Sequence, residues 1–231
     1  MKRYRWLLGC CLFLSIGMLW AADEPDLRML QQKAAQSRDM EGYVGVCKYL
    51  YQTEENPELL LLYADSIHQL ATKSKKPEQL VEYYIWASEG NFIKGDFQQG
   101  YALKRKAIAL AEKAGLKFAI SQSCCDMGYY CNVDARYDSA RYYFRKGLEA
   151  GEDLSEAGEA CRTMLTNYAS SFLFEGKTDS ALVYTIRASE RSAADKDTAM
   201  LIENLNQLGT IYRRKKDLEN CIANFEQALH L

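Results

Sequence analysis

Apolar and small residues recur along the chain in blocks with a nearly constant period, and each block reads as a pair of amphipathic helices. The C-terminal block is the clearest: Leu205, Leu208, Gly209 and Tyr212, then Cys221, Phe225 and Ala228. With Gly209 as anchor, earlier blocks fall at Ala169, Gly128, Ser88 and Lys48, at intervals of 40, 41, 40 and 40 residues. The Ala169 block carries Leu165, Tyr168, Phe172, Ala181 and Ala188; the Gly128 block carries Cys124, Met127, Cys131, Ala140, Phe144 and Gly147. The Ser88 block has Tyr84, Ala87, Gly100 and Ala107, but Lys104 where an aromatic residue is expected. The Lys48 block keeps only the apolar pattern, in Val44, Cys47, Tyr51, Leu60, Ala64 and Ile67. Internal repetition at such a period predicts a stack of supersecondary units, each too small to bury its own apolar faces.

Breakers and caps divide the blocks. Asn56-Pro57, Lys76-Pro77, Lys94-Gly95-Asp96, Gly115, Gly151 and Gly176 read as turns, and Ser180 and Asp197 as helix starts. Residues 25–37 read as a lone helix, within an N-terminal capping segment 22–40, and five units are expected at about 41–80, 81–120, 121–161, 162–201 and a shorter 202–231.

The large residue, leucine-glycine and tyrosine on a first helix (A), followed by a small residue, an aromatic and an alanine on a second (B), resemble the tetratricopeptide repeat (TPR) over residues 41–231. The family's usual period is about 34, so six extra residues amount to roughly 1.7 additional helical turns per unit. The resemblance implies an all-α fold: an α-solenoid of antiparallel helix pairs wound into a TPR-like right-handed superhelix. The small residues are expected where the backbones of A and B approach, and the aromatic at the eleventh position in the wedge toward the next unit. It also implies that helix A lines a concave groove for a protein or peptide partner. Carried over position by position, the groove residues are Tyr49, Glu82, Ile85, Glu89, Phe92, Gln122, Tyr129, Asn132, Thr166, Ser170, Asn206, Thr210 and Arg213. The lysine/asparagine clamp of chaperone-binding members is missing, since Cys125 and Tyr129 stand at two of its places.

The N-terminus reads differently. Lys2, Arg3 and Arg5 precede an apolar run of 15 residues, Trp6 to Trp20, and Leu19-Trp20-Ala21 offers a cleavage site. This is the pattern of a signal peptide over residues 1–21, short of the ~20 residues a membrane span needs. A retained anchor, or a lipid attached at Cys10 or Cys11, is the alternative. Cleavage removes three of 29 cations and none of 31 anions, leaving a net charge of 26 minus 31, or −5. A mildly acidic surface argues against nucleic acid or anionic membrane as partner. The expected product is exported, periplasmic, and without a membrane span.

Candidate chemistry is sparse. His68 and His230 lie far apart in the repeat order, and no phosphate loop, paired-histidine motif or nucleophile elbow occurs. No catalytic, metal or cofactor residues are expected. Cys47, Cys124, Cys125, Cys131, Cys161 and Cys221 remain after cleavage. Four of them sit at packing positions and read as buried thiols; Cys124 and Cys131 are roughly 10.5 Å apart along one helix, beyond bridging range. Cys124 with Cys161 is the pairing left open. The functional expectation is an exported TPR interaction module, the sensory portion of a truncated envelope regulator; a freestanding periplasmic scaffold is the alternative, and a periplasmic hydrolase the alternative of another class. The last B helix is expected to expose apolar surface, which predicts either self-association through that uncapped helix or continuation into a longer regulator.

Overall fold

The computed structural model describes residues 26–54 and 56–231. Residues 1–25, and with them the expected signal peptide, Cys10 and Cys11, lie outside the described residues. Among the described residues there are eleven α-helices and no strand: α1 (Leu27–Ser37), α2 (Met40–Thr53), α3 (Pro57–Ser74), α4 (Pro77–Lys94), α5 (Phe97–Ala114), α6 (Lys117–Val133), α7 (Tyr137–Gly151), α8 (Gly158–Phe174), α9 (Thr178–Ala194), α10 (Thr198–Arg214) and α11 (Leu218–Leu229). Neighbouring helices pack in sequence order as antiparallel pairs, an all-α solenoid.

The helix ends follow from local chemistry. Side chains of Asp39, Asn56, Asp96, Asp197 and Asp217 accept hydrogen bonds from backbone N–H groups three residues on, meeting donors that a helix start leaves open. Pro57 and Pro77 open α3 and α4, where a missing N–H costs nothing. Gly95 ends α4 at φ 93°, a conformation that only glycine adopts without strain. Ser180, expected as a helix start, lies inside the first turn of α9, whose N-cap Lys177 makes no side-chain capping hydrogen bond. After α7 a 3₁₀ turn at Ser155–Ala157 leads into α8. The expected unit boundaries cut one to four residues into each A helix, because they were counted from packing anchors and not from the caps.

The described residues form two compact units, dividing inside α6 between Ser123 and Cys124. In the first, α1 packs on α2, and α2 on both α3 and α4. Its core comprises Ala34, Val46, Cys47, Leu50, Leu60, Ala64, Ile67, Trp86, Ala87 and Leu103. In the second, α7 to α11 pack each on the next, and α8 also touches α10.

Glycine meets an aromatic ring at three helix crossings. A Cβ on Gly128 or Gly209 of helix A would run into the ring of Phe144 or Phe225 on helix B. The expected meeting of small residue with small residue is thus corrected: the glycine makes room for the ring sixteen residues on. In the α4/α5 pair the arrangement is reversed, since Gly100 on helix B faces the ring of Phe92 on helix A, 2.7 Å from where a Cβ would sit. The place of Phe144 and Phe225 is there taken by Lys104, fully buried and ion-paired with Glu89.

Candidate functional site

The A helices carry the expected groove residues, and packing sorts these into two groups. Four are interior. Phe92 is fully buried over Gly100, and Glu89 holds Lys104. Asn132 donates through Nδ2 to the Asn167 carbonyl at 3.0 Å, and Thr166 donates to Asn204 Oδ1 at 2.9 Å. A ligand on the surface cannot reach these side chains, so their assignment to the groove is corrected. For Asn132 and Thr166 the physical reason is that successive A helices pack closely enough to consume polar positions that a wider spacing would leave open; Phe92 and Glu89 are taken up by helix B of their own pair.

The α8–α10 contact shows how far this goes. Arg162, Thr166 and Ser170 lie four residues apart on one face of α8. Arg162 meets Asp197 at 2.8 Å and Asp195 at 2.9 Å. Thr166 bonds Asn204, whose Nδ2 donates to Ser192 Oγ at 3.1 Å, and Gln207 Nε2 donates to Ser170 Oγ at 2.7 Å. Arg214 closes the row by donating to the Leu173 carbonyl at 3.0 Å. Buried polar groups on one side thus find partners on the other, and the register of the two helices is specified.

The remaining residues stay at the surface in whole or part. In the first unit Tyr49 lies on α2, and Glu82 and Ile85 on α4, all half-buried. Glu82 accepts a 2.9 Å hydrogen bond from Trp86 Nε1. Burial raises its pKa above the ordinary carboxylate value, against the opposing pull of that bond and of Lys48 and Lys104. Cys47, beside it, is pushed up to about 12, by burial first and by the Glu82 charge second. Gln122 is exposed on the part of α6 that belongs to this unit.

In the second unit Tyr129 packs edge-on against Tyr130 at 5.5 Å and is half-buried. Ser170 is half-buried and joined to Gln207. Asn206, Thr210 and Arg213 fall on one face of α10 at spacings of four and three, with Asn206 and Arg213 exposed. Glu203, on the same helix, has its pKa raised by burial and then by Asp197. The sequence reading missed Glu203, although it stands at the same repeat position as Glu82 and Gln122; six residues before Gly209 was the available signal.

All six described cysteines are buried. His68 stacks on Tyr83 at 4.3 Å, and His230 caps α11, so the two histidines serve separate local contacts. Among the described residues no group of three or more histidine, cysteine or acidic side chains is placed to hold a metal ion, and no helix is long and apolar enough to cross a membrane.

No protein-family model and no curated protein matches the chain. Among solved structures the chain is similar to the crystal structure of BtubC (BKLC) from P. vanneervenii, with a TM-score of 0.70 and 14% identity, over 88% of this chain and 85% of that one. At that identity the likeness is one of fold.

Proposed function

We propose that the chain is an exported interaction module of the TPR type, which binds a peptide or protein segment along the open faces of its A helices. The observation that carries the reading is the sorting of A-helix positions. After the interior has consumed its share, an aromatic–acid–aliphatic set (Tyr49, Glu82, Ile85) is left in one unit and an amide–hydroxyl–guanidinium row (Asn206, Thr210, Arg213) in the other. Aromatic and arginine anchors beside polar side chains suit an extended peptide or a partner helix. The glycine–ring crossings support the TPR reading, and the signal-like pattern of residues 1–21 supports export.

In an envelope regulator such a module would be the sensory portion, and as a freestanding scaffold it would bridge envelope proteins. Affinity capture from envelope extract tests the binding. The wild-type chain is expected to retain a partner that Glu82→Lys and Arg213→Glu variants lose while keeping their helical circular dichroism. Retention by both variants would overturn the assignment of the binding face.

A further inference from the structure

The second unit contains a cavity that the repeat pattern does not call for. It is about 310 Å³ in volume and lies between the C-terminal halves of α7 and α9, over the first half of α8. Leu148, Cys161 and Leu165 line it, with Cys161 3% and Leu165 5% exposed, and Glu152, Arg187, Glu190 and Arg191 stand around its mouth. Helices α10 and α11 follow it in the chain, so its opening does not depend on where the sequence ends.

Two departures from the repeat shape it. The place of Cys161 is held in the other repeats by Met40, Leu80, Ile120 and Leu201, all large and apolar, and Leu201 packs onto the cluster of Leu205, Leu208 and Ala228. Cys161 is too short to fill that volume, and close-packed interiors rarely leave such a gap. The place of Arg191 is held in the other repeats by Leu70, Leu110, Ala150 and Leu231. An arginine there lines the wall with its stem and carries its guanidinium to Asp195 at 2.8 Å. One repeat therefore exchanges an aliphatic side chain for a thiol in the floor and another for a cation in the wall.

The charges at the mouth do not cancel. Arg162, Arg187 and Arg191 are met by Asp195 and Asp197, and by Glu152 at 3.6 Å. Glu190 is exposed and has no ion-pair partner among the described residues. An apolar floor beneath a surplus carboxylate suits a ligand with an apolar body and one positive charge.

We propose that this cavity binds an ammonium ion carried on an aromatic or branched aliphatic group, with the apolar part over Cys161 and Leu165 and the ammonium beside Glu190. A free small amine and the N-terminal residue of a polypeptide share that chemistry. The site lies between helices B, and it does not rest on the reading given for the A-helix faces.

Phenethylamine and 3-phenylpropanoate, alike in ring and chain length and opposite in charge, test this by NMR titration of the purified chain. Phenethylamine is expected to bind with a Kd on the order of 1 mM or tighter, and the carboxylate roughly tenfold more weakly. Amide shifts should concentrate at residues 161–165 and 187–191. Cys161→Leu, which restores the residue type of the other repeats, should abolish binding with unchanged helical circular dichroism, whereas Cys161→Ala leaves the cavity open and should keep it. Glu190→Gln, at an exposed position, should weaken the amine about tenfold and leave the carboxylate no weaker. Phenylalanyl-glycyl-glycine and its N-acetyl form separate the two sources. A tripeptide held more tightly than phenethylamine, and released by acetylation, assigns the ligand to a polypeptide N-terminus; a tripeptide held less tightly assigns it to a free amine. Equal affinity for amine and carboxylate, undiminished binding to Cys161→Leu, or no saturable shift at these residues would overturn the proposal.

Discussion

Lys104 and Glu89 form an ion pair in the interior of the first unit, at the position where the repeat register places Phe144 and Phe225 in later units. The long lysine stem fills part of the volume an aromatic ring would occupy. Its charge is then held by an acid on the neighbouring helix A, while the ring that belongs in this layer is supplied from the other side by Phe92 over Gly100.

Breaking that pair is expected to cost more than removing it. Glu89→Leu or Lys104→Met alone takes one member from a buried ion pair and should destabilise by about 3–5 kcal/mol, whereas the double change Glu89→Leu with Lys104→Met should be far milder. Urea melts of the three variants give the coupling directly. Additive losses would mean that the two charges are not coupled.

The glycine–ring crossings differ in how much the ring can yield. Phe144 is fully buried and Phe225 is 37% exposed, so Gly128→Leu should cost roughly 1–3 kcal/mol or more and Gly209→Leu distinctly less. Ala140→Leu belongs with the costly change. Lys48→Leu should be nearly neutral, because Lys48 is exposed where the other repeats have their small residue. Chemical denaturation ranks the four. Equal tolerance at Gly128 and Lys48 would contradict the register.

The polar row between α8 and α10 makes a third prediction. Asn204→Leu removes the acceptor of Thr166 and the donor to Ser192 together, leaving the Thr166 hydroxyl only the weaker sulfur acceptor of Met200, and should cost about 1–3 kcal/mol. Hydrogen exchange should show faster opening of α10 than of α3. An unchanged midpoint would show that the row carries no stability.

Glu82 gives the fold a dependence on pH with a defined sign. Its folded pKa is raised above 4.5, mainly by burial. The folded state therefore favours the protonated acid, and this contribution to stability is fully present below the ordinary carboxylate value and lost as pH rises through the raised one. Glu82→Gln keeps an acceptor for Trp86 and removes the charge. It should stabilise the protein at neutral pH, by an amount that shrinks as pH falls through the raised value toward the ordinary one. A stability difference independent of pH would contradict the assignment.

Much of the architecture was legible because it is written in short-range chemistry. The capping aspartates, Pro57, Pro77 and Gly95 mark helix ends without reference to anything distant, and the period of the glycine and aromatic positions anticipates the stacking. Two features were not legible for the same reason: they depend on which helix faces which. Lys104 reads as a defect in an aromatic position until Glu89 is brought beside it. Thr166 and Asn132 read as groove residues because their repeat positions are groove positions in the family, yet the close packing of A helices turns them inward. Ser180 misled as a helix start because Thr178 already opens α9, on the bond from Ala181 N–H to the Lys177 carbonyl.

Site-specific photo-crosslinking tests the central claim, binding along the open A-helix faces, most directly. A photoreactive residue placed at Thr210 or Tyr49 is compared in envelope extract with one at Tyr142, an exposed aromatic on helix B. The account predicts a protein or peptide adduct at Thr210 and at Tyr49, absent at Tyr142 and competed away by excess unlabelled chain. An adduct of equal yield at Tyr142, or none at either A-helix position while Tyr142 reacts, would contradict it.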